Sequence, residues 1–161
     1  MIILGIDPGL GRTGWGVIDQ SHGRLVSKGY GCIETESGLS APIRLLQIFR
    51  EINRIAEEYK PDIAALEKLF FNTNVTTAMS VGEARGVIIL ALARINVSME
   101  EFTPLQVKQA VTGYGKATKE QIQKMIKTLL KMDKIPKPDD AADALAVAIT
   151  LGATMKISRT S

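Results

Sequence analysis

The sequence predicts an α/β fold in which a mixed five-stranded sheet is flanked by helices. The order of the predicted elements indicates this class, while composition and length indicate a single globular domain. Apolar segments punctuated by glycine come first, and helical and strand-like segments then alternate along the chain. A hydrophobic fraction of 45% and a charged fraction of 23% are typical of a globular protein. A length of 161 residues suits one domain over residues 1–161, with a sizeable core and a short carboxyl-terminal tail.

The first third of the chain predicts three strands and one helix. The strands are expected over about 2–7, 13–19 and 24–34, where apolar residues alternate and glycine-rich turns separate the segments. From Ser40 to Tyr59 the spacing of apolar residues becomes helical. The apolar face of this helix consists of Leu45, Phe49, Ile52, Ala56 and Tyr59.

The rest of the chain predicts two further strands among several helices. The expected elements are an apolar strand over 62–67, a long helix over 76–95 and a weaker strand over 97–103. Pro104 is expected to close that weaker strand. Thr118 and Gln121 have the spacing of a capping box, which predicts the start of another helix. A last helix is expected from about Asp139 to Gly152.

Positive charge is concentrated in one segment. Eight lysines lie from Lys108 to Lys137, where the only acidic residues are Glu120 and Asp133. The segment therefore carries +6, whereas the whole chain carries only +3. A basic segment on a net acidic remainder is typical of a surface that binds a polyanion. The alternative is a solvated helix face without a ligand.

The cysteine and hydropathy patterns exclude several classes of protein. The single cysteine, Cys32, excludes an intramolecular disulfide and fits a reducing compartment. One cysteine and one histidine are too few for a structural zinc site. The longest strongly apolar run, 86–93, is too short to span a bilayer, and no signal peptide is recognised. We therefore expect a cytoplasmic protein without membrane association.

Four carboxylates occupy positions where a charge is costly. Asp7 and Glu67 each end an apolar strand, while Asp140 and Asp143 lie three residues apart on an alanine-rich helix and share one face. A buried carboxylate is stable only when it is paired or bound to a cation. In open α/β sheets, functional residues collect at the carboxyl ends of strands. These four side chains are therefore predicted to form one cluster.

The chemistry of this cluster favours a hard cation. Carboxylate oxygens without histidine or cysteine suit Mg²⁺, with Mn²⁺ as a substitute. Four negative charges balance two divalent ions, and paired ions clamp the attacking and leaving oxygens in phosphodiester displacement. The glycines beside Asp7 are expected to let a phosphate backbone approach closely. Two structural alternatives remain: Asp7 accepts hydrogen bonds from the amides of Gly9 or Gly11, and Asp139 or Asp140 caps its helix.

Five segments together resemble one known family. They are GIDPGLGRTGWGVI, ALEKLFFNTN, VGEARGV, TPLQVKQAVTGYGKATKEQIQKMI and DDAADALAVAIT. Their order and spacing, over nearly the whole chain, are similar to those of the RuvC family of bacterial Holliday-junction resolvases. The resemblance implies a ribonuclease H-like fold and a homodimer with two active sites. It further implies an endonuclease of homologous recombination and DNA repair, which nicks two strands of a four-way junction symmetrically and leaves 5′-phosphate and 3′-hydroxyl ends.

The resemblance also implies roles for individual residues. The resemblance implies four catalytic residues that bind a pair of Mg²⁺ ions, namely Asp7, Glu67, Asp140 and Asp143. Phe70 is implied to stack on a base near the crossover, and Lys108 and Lys119 are implied to contact DNA. The dimer contact is implied to involve the helix that carries Gly82 and Gly86. The branch-migration proteins RuvA and RuvB are implied partners.

Several alternatives stay open at this point. Phe70 and Phe71 point opposite ways in an extended segment, so either one faces DNA or both anchor the loop. Asp139 competes with Asp140, although only Asp140 is three residues from Asp143. Actin-like ATPases and sugar kinases share the glycine turn, but they need a second domain around the nucleotide. A nuclease of the YqgF family, acting on RNA, and a junction-binding protein without catalysis are the other candidate functions.

Overall fold

A five-stranded mixed sheet lies at the centre of the fold. The computed structural model describes residues 1–21, 23–68 and 75–158. The strands are β1 (Ile2–Asp7), β2 (Arg12–Ser21), β3 (Arg24–Glu34), β4 (Ile63–Glu67) and β5 (Ser98–Phe102). Their order across the sheet is β3-β2-β1-β4-β5. The β1, β2 and β3 strands form an antiparallel meander, whereas β1, β4 and β5 run parallel.

Helices cover both faces of this sheet. They are α1 (Ala41–Tyr59), α2 (Val75–Arg94), α3 (Pro104–Thr112), α4 (Lys119–Leu129) and α5 (Asp139–Ser158). One core lies between the sheet and α3, α4 and α5, and a second core lies between the sheet and α1 and α2. Because side chains alternate along a strand, Ile3 enters the first core and Leu4 enters the second. The mixed sheet flanked by helices confirms the predicted fold class.

Glycines in β1 and β2 let α5 approach the sheet closely. A Cβ atom on Gly5 would clash with the carbonyl oxygen of Ala144, and one on Gly14 would clash with that of Asp140. A Cβ atom on Gly16 would lie 2.7 Å from the side chain of Leu145. Glycines near Asp7 were expected to leave room for a phosphate backbone. At Gly14 and Gly16 the space is instead filled by α5.

The segment after β5 differs from the sequence-based expectation. Pro104 was expected only to close the strand over 97–103, and no helix was predicted between that strand and Thr118. Pro104 instead begins α3, and Lys108 lies inside that helix. The side chain of Thr103 accepts a hydrogen bond from the Gln106 amide, and the Gln106 side chain accepts one from the Thr103 amide. This capping box has the same signature as the one predicted for α4, and proline is favoured in the first turn of a helix.

The last helix also extends further than predicted. The sequence suggested an end near Gly152, whereas α5 continues to Ser158. The carbonyl of Gly152 accepts a hydrogen bond from Gln20 Nε2 at 2.8 Å, and a Cβ atom there would meet Ile3 and Leu25 at contact distance. Gly152 thus lies at a packed crossing point with β1 and β3, where tertiary contacts outweigh the low helix propensity of glycine.

Helix α2 is unusually apolar for a helix that is so exposed. By length and composition alone, Thr76–Arg94 is suited to cross a membrane, and 22% of that stretch is buried. This stretch is longer than the strongly apolar run 86–93, from which no membrane span was predicted. Exposed apolar residues on this helix include Met79 and Leu90, at 64% and 61% of their full accessibility. An exposed apolar face of this kind is typical of a surface that contacts a partner.

Candidate active site

The parallel pairing of β1 and β4 places two carboxylates side by side. Ile6 is in register with Leu66, so Asp7 and Glu67 follow at the same carboxyl edge of the sheet. By strand alternation both side chains project towards the face that α5 covers, because Ile3 and Ala65 on the same sides of their strands pack in that core. The charge of Glu67 is, after burial, the largest cause of the raised pKa of Asp7. Two acidic groups this close to each other disfavour ionisation of both.

The first turns of α5 bring two further carboxylates to this edge. The helix crosses β1 and β2, and Gly14 removes the side chain that would otherwise displace the backbone at Asp140. Asp140 and Asp143 both contribute negative potential at Asp7. The structure thus brings together all four carboxylates that the sequence predicted as a cluster.

Basic side chains hold the two α5 carboxylates in place. Arg12 Nε lies 2.8 Å from Asp140 Oδ2, and Lys119 Nζ lies 3.2 Å from Asp143 Oδ2. Among the described residues, no group of three or more acidic, histidine or cysteine side chains is arranged so that it could hold a metal ion. Two of the four carboxylates are instead paired with cationic side chains.

Asp139 belongs to a different set of contacts. Its carboxylate accepts hydrogen bonds from Lys137 at 2.9 Å and from Gln123 at 3.1 Å, and it lies 3.4 Å from Lys119 Nζ. The hydrogen bond from Lys137 and the charge of Lys119 lower the pKa of Asp139 to about 2. Asp140, by contrast, packs its backbone against Gly14, the cross-strand partner of Asp7, and its charge raises the pKa of Asp7.

The electrostatics of the cluster favour a proton or a cation. Burial, followed by the charges of Glu67, Asp143 and Asp140, raises the pKa of Asp7 to about 8. Burial and the charge of Asp143 raise the pKa of Glu67. Burial also raises the pKa of Asp143, although Lys119 acts in the opposite direction. An all-carboxylate set with these unfavourable charges fits Mg²⁺ or Mn²⁺, since hard cations prefer oxygen ligands.

A cavity connects the carboxylates with the predicted DNA contacts. Its volume is about 350 Å³, and its lining includes Glu67, Asp143, Lys108 and Lys119. Lys108 lies on α3, and Lys119 is the first residue of α4. Two lysines from separate helices thus border the same opening as two of the carboxylates. An opening with this charge pattern suits an anionic group that approaches bound cations.

One predicted contact lies outside the described residues, and one observed contact was not predicted. Phe70 and Phe71 lie outside the described residues, so the predicted base-stacking role of Phe70 stays a prediction. In contrast, Arg12 was not singled out from the sequence, although it contacts Asp140 directly. Its only sequence signal is its position at the end of the glycine turn that follows Asp7. A lone arginine in such a turn carries no spacing that identifies its partner.

The class of protein is a nuclease with a ribonuclease H-like fold, as defined by the strand order, the parallel strands β1, β4 and β5, and the carboxylates at their edge. Sequence comparison identifies the family within this class. A family model described as crossover junction endodeoxyribonuclease RuvC matches residues 3–151. The chain belongs to this RuvC family.

Individual relatives agree with this assignment. RuvC of Brevibacillus brevis is 57% identical over 150 residues, covering 93% of this chain and 90% of the relative. RuvC of Alkaliphilus oremlandii is 58% identical over 149 residues, covering 92% and 91% of the two chains. The structure of Thermus thermophilus RuvC in complex with a Holliday junction substrate has a TM-score of 0.93 and 30% identity, covering 98% of this chain and 96% of the other. The similarity therefore extends over nearly the full length of both chains.

Proposed function

We propose that this chain resolves four-way DNA junctions by metal-dependent, symmetric, paired nicks, which leave 5′-phosphate and 3′-hydroxyl ends. The observation that carries the proposal is the convergence of four carboxylates at the carboxyl edge of β1 and β4, with the pKa of Asp7 raised to about 8. The RuvC family match over residues 3–151 supports the choice of a DNA junction as substrate. Its biological setting is homologous recombination and DNA repair in the cytoplasm.

The four carboxylates are the proposed ligands of two Mg²⁺ ions, for which Mn²⁺ can substitute. The residues are Asp7, Glu67, Asp140 and Asp143. When bound there, the ions would activate a water and would neutralise the charge that develops on the leaving oxygen. Asp7 gives up its proton when it becomes a ligand, because ligands bind metal in their deprotonated form. The raised pKa of Asp7 shows that its ionised form is unfavourable in the metal-free protein, and a bound cation would stabilise that form.

The lysines at the cavity are the proposed phosphate contacts. Lys108 and Lys119 border the opening beside Glu67 and Asp143, where the scissile strand has to reach the cations. Both side chains position the backbone, since phosphate contacts carry no sequence information by themselves. Phe70 is proposed to stack on a base near the crossover. Its aromatic face would stabilise an unpaired base through stacking.

Helix α2 is the proposed contact between two copies of the chain. Met79 and Leu90 are exposed on it, and Gly82 and Gly86 have open space where a Cβ atom would lie. These residues repeat at intervals of three or four, as expected of a helix-packing face. A homodimer would give one active site for each of the two nicked strands. Leu90→Glu should shift the dimer towards monomer in analytical ultracentrifugation, whereas Glu58→Gln on the outer surface of α1 should leave the equilibrium unchanged.

The proposal has a direct test. Wild type and Asp7→Asn are compared on a synthetic four-way junction and on a linear duplex of the same sequence, with Mg²⁺ and with EDTA. Wild type should cleave only the junction, only with Mg²⁺, and at symmetric positions, while Asp7→Asn should bind the junction without cleaving it. Equal cleavage of the duplex would contradict junction specificity, and an active Asp7→Asn variant would contradict the assigned site.

An RNA junction of the same sequence tests the alternative substrate class. A preference for RNA would favour the YqgF-like function over the DNA resolvase. The RuvA and RuvB branch-migration proteins are proposed partners on the basis of the family alone. Pull-down of each purified protein by the resolvase, with and without junction DNA, tests for a direct contact.

A further inference from the structure

We propose that Arg12 is a counter-ion latch, which pairs with Asp140 before a cation binds and is retained by Glu34 once Asp140 becomes a ligand. The inference rests on the proposed metal-dependent function. It adds a positioning residue that competes with the cation for one of its ligands. Neither Arg12 nor Glu34 belongs to the carboxylate cluster or to the proposed DNA contacts.

The geometry gives Arg12 two acceptors on different elements. Its Nε lies 2.8 Å from Asp140 Oδ2, and its Nη1 lies 3.0 Å from Glu34 Oε1. Arg12 and Glu34 are direct cross-strand partners in the β2–β3 register. The sheet therefore keeps Glu34 beside Arg12 whatever happens at α5. A guanidinium with several N–H donors can keep one acceptor while it loses the other.

Competition follows from the position of the guanidinium on Asp140. A bond of 2.8 Å occupies Oδ2, and the positive charge that makes this bond also repels a divalent ion at the same carboxylate. Lys119 pairs with Asp143 in a similar way, but that lysine already serves the proposed phosphate contact. Among the described ion pairs, Arg12 and Lys119 are the cationic side chains that contact the cluster. The proposed cleavage reaction gives a role to Lys119 but none to Arg12.

Exposure makes this exchange feasible. The side chains of Arg12 and Glu34 retain 47% and 64% of their accessibility, whereas Asp140 retains 29%. Exposed pairs are weak because water and salt screen them, so a divalent ion can displace Arg12 from Asp140. Glu34 then limits the distance that the released guanidinium moves. The latch thus neutralises Asp140 in the absence of metal at little cost to metal binding.

The expected effect is on metal affinity rather than on folding. Arg12→Gln should lower the Kd for Mn²⁺ by about twofold to fivefold, the range that corresponds to an exposed ion pair. Glu34→Gln should raise that Kd, because Arg12 loses its second acceptor and stays on Asp140. In the Arg12→Gln background the Glu34→Gln change should have little effect. Arg12→Lys keeps the charge without the fork and should fall between wild type and Arg12→Gln.

The experiment titrates Mn²⁺ into metal-free protein without DNA and measures binding by calorimetry and by the electron paramagnetic resonance of free Mn²⁺. Lys137→Gln is the matched control, because Lys137 pairs with Asp139 beside the cluster but not with Asp140. It separates direct competition from a general change in charge. Circular dichroism of every variant verifies that the fold is retained.

Each outcome bears on one part of the argument. The latch is overturned if Arg12→Gln binds Mn²⁺ no more tightly than wild type. It is also overturned if Arg12→Gln binds Mn²⁺ no more tightly than Lys137→Gln. An equal effect of Glu34→Gln with and without Arg12 also overturns it, because Glu34 would then act through its own charge. Asp7→Asn serves as the independent check: Mn²⁺ binding equal to wild type would refute the proposed metal site itself, regardless of the result for Arg12.

Discussion

Replacing Asp7 with asparagine should stabilise the metal-free protein near neutral pH. Burial and three neighbouring carboxylates raise the pKa of Asp7 from 3.8 to about 8. Folding in the window between these two values therefore takes up a proton. The contribution of Asp7 to stability is fully present below pH 3.8 and is lost as the pH rises towards about 8. Asparagine is neutral at every pH in this range, so Asp7→Asn removes the loss.

The size of the effect follows from the width of that window. A fully perturbed group loses about 1.4 kcal/mol of stability per pH unit, which amounts to about 4 kcal/mol at pH 7. Asp7 keeps partial contact with solvent, and water screens its charge, so we expect a gain of about 1–3 kcal/mol. For a chain of this length, such a gain raises the melting temperature by roughly 2–12 °C.

Urea denaturation in EDTA at pH 5, 6, 7 and 8 measures this difference. The advantage of Asp7→Asn over wild type should grow with pH, while Asp133→Asn, at an exposed position, should show no such trend. Added Mg²⁺ should stabilise wild type more than the variant, because ligands that bind only the native state add to its stability. A difference that is constant with pH, or a variant less stable than wild type at pH 8, would refute the electrostatic account and favour Asp7 as an acceptor for turn amides.

Three other substitutions test separate parts of the structure. Gly14→Ala should cost about 1–3 kcal/mol of unfolding free energy in urea, since its Cβ meets the Asp140 carbonyl, whereas Gly38→Ala, in open space, should cost far less. Lys119→Ala should weaken junction binding and reduce its salt slope by about one; an unchanged slope would limit Lys119 to its ion pairs with Asp139 and Asp143. Phe70→Ala should impair junction cleavage with little loss of stability, whereas a core anchor would cost about 3–5 kcal/mol.

Local rules were sufficient for most of the fold and for the choice of carboxylates. Alternation and glycine turns predicted the meander, and a carboxylate at the end of each apolar strand predicted Asp7 and Glu67. Asp140 was preferred to Asp139 on spacing alone, and the charge of Asp140 is among those that raise the pKa of Asp7. These features depend on residues close together in sequence, where periodicity carries the information.

Features that depend on contacts between distant segments were harder to predict. The pairing of Arg12 with Asp140 joins residues 128 positions apart, and no local pattern identifies it. The packing of Gly14 against α5 has the same origin, so those glycines were assigned to DNA clearance. Helix α3 is a different case, because its capping box was visible in the sequence. Pro104 was predicted only to end a strand, whereas in the structure it begins α3.

The glycine seat of α5 has a consequence for how this enzyme can change. The carbonyl of Asp140 rests against Gly14, so the backbone that carries two of the carboxylates cannot shift relative to the sheet without loss of native packing. Substitutions that alter metal preference or turnover without disturbing this packing are therefore expected at exposed side chains around the carboxylate cluster. Arg12, Lys119 and Lys137 lie there, and substitutions of these side chains are expected to leave the contact between Gly14 and α5 unchanged.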